Sequence, residues 1–208
     1  MKTLRLFIQL SRPLFLLGGF LFYALGAGIA RYLGNPIDWR LYLLGQAWGT
    51  ILQLGTQYLN EYFGAPADAQ NPNRTLFTGG SGALGPGKLP RAVALWAGAA
   101  CMACVASLTV LLIQTGALGP ATLLVMLLIF LGAFFYSVPP VRLEATGYGE
   151  LTTSILVANL VPAFSLLLQT GEIHRLLAMA TFPLTLLHLA MLLAFELPDY
   201  GNDVKYAK

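Results

Sequence analysis

Six long apolar stretches limit this chain to a helical membrane architecture. A bilayer core takes about 20 apolar residues of helix, and each stretch approaches that length. The chain is 57% hydrophobic and 10% charged, with a mean hydropathy of +0.69, outside the range of ordinary soluble domains. We therefore predict an all-α, polytopic membrane helix bundle that forms one domain over residues 1–208. The six predicted membrane helices cover residues 13–30, 41–60, 92–115, 118–136, 151–169 and 176–197.

A polar stripe follows the second apolar stretch. Its residues are separated by 4, 4, 3 and 4 positions, so they share one face if the helix continues beyond the stretch. This spacing suits either a solvated helix end with some interhelical hydrogen bonds or a ligand site. The stripe consists of Gln53, Gln57, Glu61, Gly64 and Asp68, and Asn60 borders it.

A second acidic cluster, formed by Glu196, Asp199 and Asp203, follows the last stretch. Asp199 and Asp203 are four residues apart, so they project from one helix face, where two like charges destabilise an isolated helix slightly. Their placement therefore favours a ligand or a metal. Carboxylates that cannot pair with each other need a cation, and two clusters that face each other suit a divalent metal holding a diphosphate.

The basic residues predict the orientation of the bundle. With the N-terminus in the cytoplasm, all of the 12 Lys and Arg residues except Arg31, Arg40 and Arg175 fall on the cytoplasmic side. Both acidic clusters, and any active site they form, then face the cytoplasm. We expect an integral protein of a prokaryotic cell membrane. No stripe of basic residues with interleaved aromatic residues is present, which argues against nucleic acid as a partner.

Two polar loops carry further candidate residues. The loop over residues 61–91 contains the glycine-rich segment 78–82, whose backbone amides suit either an anion-binding nest or a flexible turn. The loop that begins at Tyr136 contains Arg142 and Glu144. Arg142 suits a phosphate clamp, and it equally suits a residue that only sets membrane topology.

With these residues assembled, the chain resembles the UbiA-type intramembrane prenyltransferases from Arg12-Pro13 to Asp203. The segment Asn60–Asp68 resembles the first family motif, NDxxDxxxD, and Asp199–Asp203 resembles the second, DxxxD. The segment Tyr136–Arg142 resembles the family loop between helices four and five. The Ser81-Gly82 loop and the Pro139-Pro140 pair look most like the branch that makes menaquinone.

The resemblance implies Mg²⁺-dependent transfer of an isoprenyl chain from its diphosphate to an aromatic acceptor, in a bundle of nine helices that opens to the lipid bilayer. For the menaquinone branch this acceptor is 1,4-dihydroxy-2-naphthoate. The implied metal ligands are Asn60, Glu61, Asp68, Asp199 and Asp203. The implied catalytic residues are Asp68, Asp199, Asp203 and Arg142, and the implied substrate-binding residues are Arg12, Asn60, Arg74, Tyr136, Arg142 and Lys208.

Several other functions remain open at this point. Within the same fold the acceptor could be 4-hydroxybenzoate, homogentisate or a glycerol-phosphate lipid. A second class of function is that of a non-catalytic membrane relative that binds isoprenoid lipid. A transporter is a third, suggested by intramembrane Gln53, Gln57, Asn159 and His188, but the acidic residues lie at one interface and not across a midplane site.

Two departures from the family pattern bear on activity. Gly64 stands where the first motif has its central aspartate, and glycine offers no side-chain ligand. Ala207 precedes Lys208 where the family has glycine, and six of the nine expected helices are present. We expect that a longer reading frame or a partner supplies the remaining helices, or that the protein is a degenerate relative.

Overall fold

The computed structural model describes residues 2–70, 74–75 and 79–197. In these ranges the regular secondary structure is helical apart from one bridge between Leu84 and Leu89, so the predicted all-α class is confirmed. A short 3-10 turn over Leu143–Ala145 precedes the sixth helix. The seven described helices are α1 (Lys2–Leu10), α2 (Pro13–Tyr32), α3 (Trp39–Asp68), α4 (Arg91–Gln114), α5 (Pro120–Phe134), α6 (Gly149–Thr170) and α7 (Arg175–Glu196).

Four of the described helices, α2, α4, α6 and α7, are long and apolar enough to cross a membrane. The prediction of six membrane helices is therefore not confirmed. The second predicted stretch falls within α3, which has 30 residues but is interrupted by several glutamines. The fourth predicted stretch corresponds to α5, which is apolar but has only 15 residues.

Capping residues fix the end of the bundle at which α3 begins and α6 ends. Asp38 precedes α3, and its carboxylate accepts hydrogen bonds from the backbone N–H groups of Arg40 (2.9 Å) and Leu41 (3.1 Å). The side-chain oxygen of Gln169, near the end of α6, accepts a hydrogen bond from the backbone N–H of Asp38 (2.8 Å). Gly171 ends α6 with a φ of 74°, a conformation that favours glycine. These contacts hold α3 and α6 together at this end.

Close packing of α3 against α4 and α6 builds the core. A side chain at Gly55 of α3 would collide with Met102 of α4, so glycine permits the close approach of the two helices. The indole N–H of Trp48 donates to the hydroxyl of Thr109 across the same interface (2.9 Å). Trp48 also contacts Phe164 of α6, with ring centroids 5.3 Å apart. Both rings are almost fully buried.

Helix α6 contains a wider π-helical turn over Leu156–Leu160, just before Pro162. Proline has no N–H to donate, and its ring would clash with the carbonyl of the preceding turn, so a locally wider turn accommodates it. Leu156, Val157 and Val161 of this region line the central cavity. The irregular turn therefore contributes an apolar wall to the site described next.

Candidate active site

A cavity of about 510 Å³ lies between α2, α3, α5, α6 and α7. Its deep end, which we call the floor, is formed by the aromatic side chains of Tyr23, Trp48 and Phe164. Helix α3 lines it with a polar wall: Gln46, Thr50, Gln53, Thr56, Gln57 and Asn60. Helices α5, α6 and α7 line it with an apolar wall: Ile129, Leu156, Val157, Val161, Leu192 and Leu193. The charged end, which we call the mouth, contains Arg12, Asp68, Glu144, Glu150 and Glu196.

The polar stripe predicted from the sequence is confirmed as one continuous helix, because α3 extends to Asp68. Gln53, Gln57 and Asp68 of the stripe line the cavity, as does the bordering Asn60. Gly64 is buried within α3. The helix thus carries polar groups from the floor of the cavity to its mouth.

Glu61 is a buried carboxylate beside the mouth. It is 2% exposed. Its Oε1 accepts hydrogen bonds from the guanidinium of Arg12 (2.5 Å) and the backbone N–H of Ser81 (2.6 Å), and its Oε2 accepts one from the Ser81 hydroxyl (2.6 Å). Three donors, one of them charged, compensate for the burial of the carboxylate. A metal bound by Glu61 would compete with these donors for the same carboxylate.

The loop over residues 79–90, which we call the Ser81 loop, also forms hydrogen bonds with the N-terminal helix α1. The side-chain amide of Gln9 in α1 donates to the backbone carbonyl of Ser81 (2.7 Å), and the ammonium of Lys2 donates to the carbonyl of Gly87 (3.1 Å). Ser11 and Tyr58 share a hydrogen bond of 2.7 Å between α3 and the end of α1. The Ser81 loop is therefore bound by α1 on one side and by Glu61 of α3 on the other.

Arg12 and Arg142 adopt the same unusual backbone conformation. Their φ angles are 42° and 45°, in the left-handed region that non-glycine residues rarely occupy. Each is paired with a carboxylate: Arg12 with Glu61 at 2.5 Å, and Arg142 with Glu144 at 3.2 Å. Strained backbone of this kind persists only where the surrounding contacts demand it, and it is concentrated at functional sites.

Asn60 connects the first motif to the loop after α5. Its side-chain N–H₂ donates to the hydroxyl of Ser137 (3.0 Å) and to Oε2 of Glu144 (2.8 Å), and the Ser137 hydroxyl also lies 3.2 Å from that Glu144 oxygen. Both of these bonds use the nitrogen of Asn60, so its amide oxygen remains suited to bind a cation. The network fixes Asn60 and Arg142 around a single carboxylate.

Asp68 and Arg74 both pack against glycines of the Ser81 loop. A Cβ at Gly80, where φ is 74°, would collide with the Asp68 carboxylate. A Cβ at Gly82, where φ is 67°, would collide with the Arg74 guanidinium. Glycine at these two positions permits both the left-handed backbone and the close approach of the charged groups.

Tyr136, predicted to bind substrate, also lines the cavity. Burial raises the pKa of its phenol, and the nearby carboxylates of Glu144, Glu196 and Glu150 raise it further. The phenol therefore stays protonated at neutral pH and is able to donate a hydrogen bond.

The described residues bring together Arg12, Asn60, Glu61, Asp68, Tyr136 and Arg142, and they place Arg74 beside the same loop. The remaining predicted site residues, Asp199, Asp203 and Lys208, lie outside the described residues.

Sequence reasoning assigned no role to Glu144 and Glu150 of the mouth and did not connect Ser81 with Glu61. All three were parts of polar loops, and nothing local indicated that Glu144 meets Asn60, that Ser81 meets Glu61 or that Glu150 lines the cavity. One signal was available: a carboxylate is rare in a chain with 10% charged residues, so each one calls for a partner or a function.

The donor chemistry of the mouth fits Mg²⁺. This cation prefers hard oxygen ligands and is often bound through one or two protein carboxylates plus substrate phosphates. The cavity wall supplies the carboxylates of Asp68, Glu144, Glu150 and Glu196 and the amide oxygen of Asn60. Within residues 2–70, 74–75 and 79–197, no group of three or more carboxylate, His or Cys side chains is arranged so that it could hold a metal ion.

A cavity with a charged mouth, one polar wall and one apolar wall, in a bundle with four helices long and apolar enough to cross a membrane, defines a membrane protein whose site suits a ligand with both polar and hydrocarbon parts. Residues 15–208 match the UbiA prenyltransferase family, and the chain belongs to that family. It is thus an integral membrane prenyltransferase, which transfers a prenyl group to an acceptor. Isoprenyl diphosphates and aromatic compounds are the substrates that the family implies, and its enzymes generally use Mg²⁺. No match was found among curated proteins or among solved structures.

Proposed function

We propose that this chain transfers an isoprenyl group from an isoprenyl diphosphate to 1,4-dihydroxy-2-naphthoate, the reaction of the menaquinone branch. The observation that carries the proposal is the division of one cavity into a charged mouth, a polar wall and an apolar wall. This arrangement suits a diphosphate, a hydroxylated acceptor and a hydrocarbon chain at the same time. The resemblance of the Ser81-Gly82 loop and the Pro139-Pro140 pair to that branch supports the choice of acceptor.

In the proposed complex the diphosphate lies at the mouth and the isoprenyl chain lies along the apolar wall. When bound, Mg²⁺ neutralises the diphosphate charge and so makes it a better leaving group. The proposed metal ligands are Asn60, Asp68, Asp199 and Asp203. The proposed diphosphate-binding residues are Arg12, Arg74, Arg142 and Lys208.

We assign Glu61 a different role from the metal ligand that the motif implies. Its three hydrogen bonds fix Arg12 and the Ser81 loop, and Arg12 lines the cavity. Glu61 therefore acts as a positioning residue: it holds the Arg12 guanidinium toward the diphosphate without touching the substrate.

The proposed reaction breaks the allylic C–O bond, and its electron pair leaves with the diphosphate. A ring carbon of the acceptor forms the new C–C bond, and the ring regains aromaticity by losing a proton, or its carboxylate as CO₂, from that carbon. Leu156, Val157 and Leu193 exclude water, which would otherwise capture the allylic cation and give an alcohol. The protonated phenol of Tyr136 donates a hydrogen bond to the departing diphosphate or to the acceptor.

We also propose that the N-terminus and the mouth face the cytoplasm of a prokaryotic cell. The basic residues of α1 and of the Ser81 loop support this orientation, because Lys2, Lys88 and Arg91 lie on the same side as the mouth. A reporter fused before α1 should be found on the cytoplasmic side, and one inserted between α2 and α3 should be found on the other side.

The deciding experiment is prenyl transfer by the chain in lipid, with Mg²⁺ and with farnesyl or geranylgeranyl diphosphate. The acceptors to compare are 1,4-dihydroxy-2-naphthoate, 4-hydroxybenzoate, homogentisate and glycerol phosphate, and product mass identifies the one used. A prenylated naphthoate supports the proposal. Another prenylated acceptor contradicts the menaquinone assignment, and tight binding of the diphosphate without any product contradicts catalysis by this chain.

A further inference from the structure

The side-chain oxygen of Gln57 stands out in the polar wall. Its oxygen is buried, and it has no hydrogen-bond partner among the described residues. The neighbouring amides differ: Gln53 donates to the carbonyl of Phe15 (2.8 Å), and Asn60 donates to Ser137 and Glu144. A buried acceptor without a donor is unfavourable, so this oxygen calls for a donor that the described residues do not supply.

Gln57 lies just below the mouth of the cavity. It precedes Asn60 by three residues on α3, which places it about 4.5 Å deeper along the helix axis. A group bound at Gln57 is therefore close to a diphosphate held at the mouth, where the allylic carbon reacts. The apolar wall of α5, α6 and α7 suits the hydrocarbon chain of the isoprenyl diphosphate. The polar wall of α3 is therefore the surface available to the acceptor ring and its hydroxyl groups.

We infer that Gln57 binds a hydroxyl group of the acceptor and thereby selects acceptors that carry one beside the reacting carbon. The inference rests on the proposed function and names the acceptor subsite within it. A hydroxyl that donates to the Gln57 oxygen keeps its proton but passes electron density into the ring. The carbon next to it then becomes a better nucleophile toward the allylic carbon.

Gln46 provides a matched control on the same wall. It has the same side chain, it lines the same cavity, and its side-chain oxygen is also buried without a partner among the described residues. It precedes Gln57 by eleven residues on α3, so it lies about 16 Å deeper, beyond the reach of an acceptor ring bound below the mouth.

The test compares Gln57→Met with Gln46→Met, since methionine keeps the length of the side chain but cannot accept a comparable hydrogen bond. For Gln57→Met we expect the KM for 1,4-dihydroxy-2-naphthoate to rise about tenfold, equivalent to about 1.4 kcal/mol, with the KM for the isoprenyl diphosphate unchanged. Gln46→Met should leave the KM for 1,4-dihydroxy-2-naphthoate within about twofold of the parent value. An equal rise in both KM values for Gln57→Met would overturn the inference.

Two further measurements separate this inference from the proposed function. The parent chain should prefer the dihydroxy acceptor to its methoxy analogue, and Gln57→Met should lose that preference. The acceptor alone should also raise the thermal unfolding midpoint of the parent chain but not that of Gln57→Met, whether or not turnover is seen. If the four acceptors stabilise neither protein, or both equally, the inference is wrong. If binding depends on Gln57 but no product forms, the proposed function fails and the inference stands.

Discussion

Replacing Glu61 by Gln tests whether this carboxylate positions Arg12 or binds metal. Glutamine keeps the shape and one acceptor oxygen, so Arg12 and the Ser81 N–H are still able to find a partner, and the Ser81 hydroxyl is able to accept where it previously donated. What is lost is the negative charge beside an Arg12 side chain that is only 19% exposed. The substitution therefore isolates the electrostatic part of the contact.

The expected loss of stability follows from these contacts. Hydrogen bonds to charged groups contribute about 1.5–3 kcal/mol, against about 0.5–1.5 kcal/mol for neutral pairs, so we expect Glu61→Gln to cost about 2 kcal/mol. Glu61→Ala leaves Arg12 without its counterion and both Ser81 donors without a partner, so we expect about 3–5 kcal/mol. Because the pair is shared, Arg12→Gln should remove much of the same energy, and the double variant should be less destabilised than the sum of the two.

The assay combines thermal unfolding in detergent with steady-state kinetics. If Glu61 positions Arg12, Glu61→Gln lowers the unfolding midpoint and raises the KM for the isoprenyl diphosphate, while the Mg²⁺ concentration for half-maximal activity stays within about twofold. If Glu61 is a metal ligand, that Mg²⁺ concentration rises at least tenfold while the unfolding midpoint in the absence of metal changes little. The second pattern, or additive effects of the Arg12 and Glu61 substitutions, would refute the positioning role.

Three other perturbations give separate predictions. Gly64→Asp should raise Mg²⁺-dependent turnover, because it adds a carboxylate to the polar stripe of α3; unchanged turnover would exclude position 64 from the metal site. Gly80→Ala should raise the KM for the isoprenyl diphosphate more than Gly87→Ala does, because both positions have positive φ angles but only at Gly80 would the added Cβ meet a side chain, that of Asp68. Equal effects would assign the loss to backbone strain alone. Tyr136→Phe should leave the alkaline limb of the pH–activity profile between pH 8 and about 10 unchanged, since the pKa of Tyr136 is raised and its phenol ionises only above the ordinary value of about 10. A shifted limb would contradict this assignment.

Local sequence patterns predicted the helices well because the helix period is a local property. The spacing of the polar stripe was enough to predict that α3 continues to Asp68, because residues three or four positions apart lie on the same face of a helix. The number of membrane helices was harder to predict. The sequence reading counted residues 41–60 as a membrane helix although the stretch contains three glutamines, and in the structure all three line a cavity that accepts polar groups.

The contacts of the mouth could not be predicted from local pattern. Glu61 meets Ser81 twenty residues away, and Asn60 meets Glu144 at a separation of 84 residues. These distances along the chain are bridged by loops, and the packing of the helices decides which loop residues meet. The family motif identified Asn60 and Glu61 as important, but it did not show that one carboxylate is already bound by three donors.

The charge balance of the cavity explains why an enzyme for an anionic substrate has an acidic mouth. Among the described residues, the charged groups that line the cavity are the four carboxylates of Asp68, Glu144, Glu150 and Glu196 and the guanidinium of Arg12. These charges alone would repel a diphosphate, and the apolar wall strengthens the repulsion because it screens like charges poorly. Divalent cations between the carboxylates and the diphosphate would reverse the sign of that interaction. The site then binds its substrate strongly only together with the metal, so isoprenyl diphosphate should bind weakly in the presence of a chelator, and that weak binding should improve when carboxylates at the mouth are neutralised.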